Sequence, residues 1–256
     1  AGYGAASPRD EIVMIHETIW LATLTEAERH ELGGESGISL PRAPDVLVIG
    51  GGIVGLAIAY FLAKRRAGSV LVVEQGRLAS GASAANAGGI FPGQQAADLP
   101  AAFRELGLVS TRLYTDLSQE PWAAFDWRQN GSVAVAPERF SCPMSEYVAQ
   151  ERARGRIVEH LAGGRLREIE PALDEQISEA VFYAQDGRLN PVRTALSFAR
   201  EASRQGATIA AGVRVDGFEI QNGRVSRVRT SRGDVHPGHV VLATGWSAPQ
   251  LAGQLG

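Results

Sequence analysis

The chain has 256 residues, of which 45% are hydrophobic and 21% charged, a globular balance that excludes a disordered or fibrous protein. Its formal net charge is −3 with no concentrated basic block, so no nucleic-acid partner is expected. The single Cys142 excludes an internal disulfide framework and points to a reducing, cytoplasmic setting, and no apolar run is long enough to span a membrane. Peripheral attachment to an inner membrane stays open, and the opening Ala1 in place of Met fits a processed, trimmed or partial chain.

Residues 1–44 read as an N-terminal extension and linker. After small residues and Pro8, "LTEAERHELGG" predicts a short helix capped by Thr25, with Glu28 as its capping-box partner and Gly33 as its stop. "ISLPRAP" then predicts an extended linker, because each proline disfavours helix at the residue before it. From Asp45 the pattern sharpens. "DVLVIG" is a buried strand, "IVGLAIAYFLAKRR" a mostly apolar helix with a basic last turn, and "SVLVVE" a second buried strand after a break at Gly68. Together they make a β-α-β unit, which demands a parallel pairing.

The stretch from about 100 to 185 is mixed. Helix is expected over "LPAAFRELGLVSTRLYTDLSQE" and over "MSEYVAQERARGRIVEHL", the latter interrupted at Gly155, with strands at "GSVAVAP" and "EAVFYAQDG". "NPVRTALSFAREASRQG" is a well-defined helix, with Asn190 as cap, Pro191 in the first position, Leu196, Ala199 and Ala202 on one face, and Gly206 as stop. Strands follow at "ATIAAG" and on both sides of "QNGR", a hairpin signal, before the buried strand "HVVLATG".

Gly50, Gly52 and Gly55 form G-x-G-x-x-G between a strand and a helix. The first glycine allows a tight turn, the second lets a pyrophosphate approach the backbone, and the third allows close helix–strand packing. The helix start offers free N–H groups to the phosphate, and Glu74 at the end of the second strand suits a ribose and repels a 2′-phosphate. This unit alone does not separate NAD from FAD. After Glu74 the chain continues as "SGASAANAGGIFPG", poor in large side chains. That stretch is either a mobile surface loop or a backbone kept bare for a long cofactor, one reaching past the pyrophosphate to a ribityl chain and a flavin. Ser83 and Asn86 could add hydrogen bonds to it.

"VIGGGIVGLAIAYFLAKR", "VVEQGRLASGASAANAGGI" and "VVLATGWSAPQLAGQLG" resemble the flavoprotein amino-acid and amine oxidoreductases of the D-amino-acid oxidase family, which includes glycine oxidase, sarcosine oxidase and D-amino-acid dehydrogenases. The resemblance covers about Asp45 to Gly256 and implies a non-covalent FAD. It places Ile53 and Val54 at the pyrophosphate, Glu74 and Gln75 at the adenosine, Ala82 and Ser83 at the phosphates, and Ala87, Gly88 and Gly89 beside the flavin. Val215 matches the position whose backbone meets the adenine, and Ala243, Thr244 and Gly245 match a returning strand near the cofactor, where Thr244 could cap the next turn. Where some relatives carry a histidine bonded to the flavin, this sequence has Ala85, so no covalent link is expected. Family members are longer, and the part that usually grips the substrate carboxylate has no counterpart here, so no catalytic residue is assigned.

The expected fold class is therefore α/β: a Rossmann-like FAD-binding domain with a parallel sheet (45–105 and 186–256), interleaved with a partial mixed α+β substrate domain (106–185). The implied activity is oxidation of a C–N bond in an amino acid or secondary amine, by hydride transfer to the flavin. Alternatives are a flavin enzyme acting on C–O bonds, a truncated FAD-binding module without activity of its own, and an NAD-dependent dehydrogenase. The expected partner is a small amino acid or amine; a homo-oligomer or partner subunit is left open. His236 and His239 share an H-x-x-H spacing without further ligands, so no metal is expected. Cys142 lacks a basic neighbour, Arg152, Arg154 and Arg156 read as a solvated helix face, and Tyr114, Trp122, Trp127 and Tyr183 read as core in preference to a pocket lining.

Overall fold

The structure, a computed structural model, describes residues 18–34, 37–92, 100–135 and 142–255. The expectations that touch Pro8, Gly93 and the end of "GSVAVAP" lie outside the described residues. The first elements are two short helices, α1 (Ile19–Ala22) and α2 (Glu26–Glu31). Thr25 and Glu28 form the expected capping box: the Thr25 hydroxyl accepts from the Glu28 N–H at 3.2 Å, and Glu28 Oε2 accepts from the Thr25 N–H at 2.8 Å. The stop differs. Leu32 caps α2, and the left-handed residue is Gly34 (φ +69°) instead of Gly33.

β1 (Val46–Ile49), α3 (Ile53–Lys64) and β2 (Val70–Glu74) form the β-α-β unit, with Val46 beside Val70 and Ile49 beside Val73 in a parallel pair. β8 (Thr208–Ala211) and β12 (His239–Leu242) complete a parallel sheet of order β12-β1-β2-β8. The sheet is buried on both faces, which is why its strands read as unbroken apolar runs. Val48, Val72 and Ile209 face a layer made by α3 and α7 (Pro191–Arg204). Leu47, Ile49, Leu71 and Val73 face an antiparallel sheet of β9 (Val215–Gln221), β10 (Arg224–Thr230) and β11 (Gly233–Val235). Asn222 (φ +53°) and Gly223 (φ +71°) join β9 to β10, the pair of positive φ angles that a tight hairpin turn demands.

The segment between the two halves of the parallel sheet builds α4 (Ala101–Leu117), β4 (Ser132–Ala134), α5 (Met144–Ala153), β5 (Val158–Ala162), α6 (Gly163–Ile169) and β6 (Glu179–Tyr183). Its antiparallel sheet has the order β4-β6-β5. One helical stretch from 144 to 161 was expected, and the structure corrects it. The chain reverses at Gly155 (φ +81°), and β5 then pairs Val158 with Tyr183 and buries Val158 beneath α5. The expectation of a solvated arginine face falls with it. Arg154 (2.5 Å) and Arg156 (2.8 Å) clamp the Glu151 carboxylate, which is 1% exposed, while Arg152 Nε donates to the Val158 carbonyl at 2.9 Å. A carboxylate that deeply buried requires paired cations, and the reversal delivers them.

α7 ties the parts together. Asn190 Oδ1 accepts from the N–H groups of Val192 and Arg193, both at 3.1 Å, and Leu196, Ala199 and Ala202 are buried as the periodicity requires. Trp122, Phe125 and Phe198 pack with Tyr60 at centroid distances of 5.0–5.9 Å, Tyr114 stacks on Trp127, and Tyr183 is buried with its hydroxyl 3.1 Å from that of Tyr147. These aromatics are core. Burial, reinforced by the Tyr147 contact, pushes the Tyr183 phenol far up, so it stays protonated. Arg193 binds Glu28 (3.1 Å), Asp126 (2.7 Å) and the Thr23 carbonyl (2.9 Å), and Arg200 binds Glu31 (2.5 Å), so the extension is pinned to α7.

Asn190→Ala strips the cap from a buried helix start and is expected to cost about 1–2 kcal/mol in denaturant unfolding; a loss within error would contradict the role given to it. Acid acts elsewhere. Burial pushes the Glu28 carboxyl up, but the Thr25 N–H and the Arg193 guanidinium outweigh it, and Glu28 titrates below its usual 4.5. Its folded pKa lies below the unfolded one, so its contribution is complete above about pH 4.5 and vanishes as pH falls through the folded value. Hydrogen exchange should therefore show residues 19–33 opening in acid before β1 and β2 do.

Candidate functional site

The site lies where the strands of the parallel sheet end. At the turn from β1 into α3, Gly50 takes φ +117°, and a Cβ there would lie 2.4 Å from the Ala243 carbonyl oxygen; a Cβ on Gly55 would lie 2.0 Å from the Gly50 oxygen. These two glycines serve close packing. Gly52 is different: its φ is −78°, and an added Cβ would meet only Ser83 Oγ, at 3.1 Å. The space in front of it is open to a ligand.

The start of α3 is rich in donors. The Ile53 N–H donates to Ser83 Oγ at 2.9 Å, while the N–H groups of Val54 and Gly55 make no hydrogen bond to any described residue. The Val54 side chain is 60% exposed at that mouth. Ala243 is anchored to β1 through its N–H to the Ile49 carbonyl (2.8 Å), which carries Thr244 and Gly245 alongside Gly50. Thr244 Oγ1 is buried and has no hydrogen-bond partner among the described residues. The expected cap at Thr244 is not formed. With φ −88° and ψ 12° the residue lacks the extended conformation a capping side chain needs, and Ser247 Oγ donates to the Thr244 carbonyl instead.

Glu74 is held from two sides, Oε2 accepting from the Gly51 N–H and Oε1 from the Gly76 N–H, both at 2.8 Å. Each carboxylate oxygen retains an acceptor site. The Val213 N–H donates to the Glu74 carbonyl (2.8 Å) and the Gly212 N–H to that of Gly76 (3.0 Å), which brings Val215 and the exposed Gln75 to the same corner.

The loop after Glu74 is ordered. The Leu78 N–H donates to the Leu32 carbonyl at 2.7 Å and the Ala79 N–H to that of Gly51 at 2.9 Å. Asn86 Nδ2 donates to the carbonyls of Ala82 (3.0 Å) and Ser83 (2.9 Å), and Asn86 Oδ1 accepts from the Gly88 N–H (2.8 Å). The Asn86 amide is thus committed to shaping the loop. Ala82, Ala85 and Ala87 are exposed along it. Gly88 has a second reason to be small: at φ +72°, a Cβ would meet the Leu189 oxygen at 2.3 Å, where the loop feeds β3 (Gly89–Ile90) into its pairing with β7 (Gly187–Arg188).

A helix start with unclaimed N–H groups, an orphaned buried hydroxyl and an anchored carboxylate acceptor in the next corner fit a long diphosphate cofactor. The family described as "DAO: FAD dependent oxidoreductase" matches residues 45–256. This chain belongs to the DAO family. FAD is its cofactor, and the nicotinamide alternative is set aside. The chain is 32% identical to a glycine oxidase of Bacillus licheniformis over 215 residues, 83% of this chain and 57% of that protein. It is 26% identical over 221 residues to the mitochondrial pyruvate dehydrogenase phosphatase regulatory subunit of Mus musculus, 84% of this chain and 24% of that one. The solved glycine oxidase of Bacillus cereus ATCC 14579 superposes with a TM-score of 0.70 at 30% identity, covering 82% of this chain and 57% of the other. The chain spans little more than half the length of the oxidases it matches.

Among the described residues no three His, Cys, Asp or Glu side chains gather as a metal site, and no helix is long and apolar enough to cross a membrane. His236 Nδ1 lies 3.1 Å from the Ser226 carbonyl, His239 opens β12, and Cys142 is half-buried near Gln150. Gly55→Ala is expected to destabilise the DAO fold by about 1–3 kcal/mol, because its methyl group would overlap backbone that cannot retreat; a melting temperature equal to that of the wild type would contradict the packing argument.

Proposed function

We propose that this chain binds FAD non-covalently along the edge formed by Gly50–Gly55, Glu74, the 82–89 loop and Ala243–Gly245, as the cofactor-holding part of an oxidoreductase that acts on a C–N bond of an amino acid or secondary amine. The observation that carries this reading is the donor-rich start of α3, with Val54 and Gly55 N–H groups unclaimed beside an orphaned Thr244 hydroxyl. Residues 45–105 and 186–256 form the cofactor-binding domain in this reading, and 106–185 is part of a substrate domain.

The residues divide the work. The N–H groups of Val54 and Gly55 neutralise diphosphate charge, aided by the positive end of α3. Ser83 spends its oxygen on the Ile53 N–H and keeps its proton to donate. Glu74, held by Gly51 and Gly76, accepts from ribose hydroxyls, and Gln75 and Val215 border the adenosine. Ala87, Gly88 and Gly89 present flat backbone to the flavin, and Asn86 acts through the shape it gives the loop. Bound FAD would supply the electron acceptance for substrate oxidation by hydride transfer. The similarity to glycine oxidase supports an amino acid or amine as substrate. The lone cysteine agrees with a cytoplasmic location. The match to a phosphatase regulatory subunit favours a second reading, an FAD-binding module without activity of its own.

The test is the visible absorption of the purified chain with added FAD, then amine and amino-acid turnover with an artificial electron acceptor. Flavin uptake with turnover supports the enzyme, uptake without turnover the module, and a chain that stays colourless overturns both. Gly52→Val should fold normally, since its backbone angles suit any residue, yet retain no FAD after gel filtration because the branched side chain fills the diphosphate space. Full flavin content in that variant would contradict the placement.

A further inference from the structure

Residues 18–34 lie outside the stretch that the family matches. On α1, Trp20 donates its indole Nε1–H to the Asn86 carbonyl at 2.6 Å. The edge of its ring lies over Gly88, 3.0 Å from where a Cβ on that glycine would stand. Asn86 is the residue whose side chain folds the loop through Ala82, Ser83 and Gly88. The extension also holds the other end of the same loop: the Leu32 carbonyl accepts the Leu78 N–H, and the Arg29 carbonyl accepts Arg77 Nη2, both at 2.7 Å. It is itself fastened to the core through Glu28–Arg193 and Glu31–Arg200. A segment that merely covered α7 would need none of the bonds to 77–88. This one grips both ends of a single loop.

We propose that residues 18–34 are a strap, and that Trp20 is a positioning residue which holds the 82–89 loop in the shape that receives the flavin end of FAD. The inference rests on the reading that this loop borders FAD. By fixing Asn86 and covering Gly88 before the cofactor arrives, the strap spares binding the cost of ordering the loop.

Trp20→Phe keeps a ring over Gly88 and removes only the N–H donor; Trp20→Ala removes both. Each is made in the full chain and examined by FAD titration, by hydrogen exchange of residues 82–89 without FAD, and by thermal melting. For Trp20→Phe the expected result is an FAD dissociation constant raised about five-fold, the loss of one hydrogen bond. Exchange at the Gly88 amide should quicken, the melting temperature should not change, and Trp20→Ala should lose more affinity. An unchanged affinity or an unchanged loop exchange in both variants overturns the strap. So does a Trp20→Phe chain that melts early with exchange quickened everywhere, because that is general support and not positioning. A wild-type chain that takes up no FAD overturns the proposed function and this inference together, whereas a flavin-binding wild type with unaffected variants overturns this inference alone.

Discussion

The close approach of the Gly50 turn to Ala243 on one side and to Gly55 on the other sets where everything in the site can lie. The Ala243 N–H reaches the Ile49 carbonyl at 2.8 Å, and no Cβ fits at Gly50 or Gly55 without overlapping backbone oxygen. Because both contacts are made of main chain, neither yields to a rotamer change. The positive end of α3, equivalent to roughly half an elementary charge, is consequently held beside the ends of β1 and β12. The unclaimed donors of Val54 and Gly55 and the buried Thr244 hydroxyl are the outcome of that geometry.

The rest of the molecule keeps this edge fixed while leaving it open. Helices cover one face of the parallel sheet and an antiparallel sheet the other, and Leu47, Leu71, Val48 and Val72 are fully buried between them. Each such side chain contributes about 1.5–3 kcal/mol, so the layers cannot slide without a large loss. The inserted segment is joined to the small-residue loop through β3 and β7, where Gly89 pairs with Arg188 and the Leu189 N–H meets the Gly88 carbonyl. The loop is thereby held by the sheet at Ala79, by the insertion at Gly88, and by the extension at Leu78 and Asn86. Its lack of large side chains marks crowding by backbone as well as room for a ligand.

Local signals were readable where the residues that made them lay close together in the sequence. The capping box of Thr25 and Glu28, the Asn190–Pro191 helix start, the Asn222–Gly223 turn and the glycine motif each depend on a few neighbouring residues, and each took the expected form. The errors arose where distant contacts overrode local preference. Val158–Ala162 continues a helical pattern but becomes a strand, because Gly155 reverses the chain and β6 offers it partners. The arginines around it look like a solvated face until Glu151 is buried between two of them. The Thr244 side chain reads as a cap, yet its backbone angles leave it orphaned.

The sequence by itself determined the β-α-β unit, the acidic residue at the end of β2, the bare loop and the buried strand that returns beside β1, because each follows from periodicity, glycine placement or a cap within a short span. Only the tertiary structure decided which of those glycines are small for packing and which leave space, that Asn86 spends its side chain inside the loop, and that Trp20 reaches across to hold it. Those facts depend on distances between residues far apart in the chain, such as Trp20 and Asn86 or Gly50 and Ala243, and no spacing along the sequence encodes them.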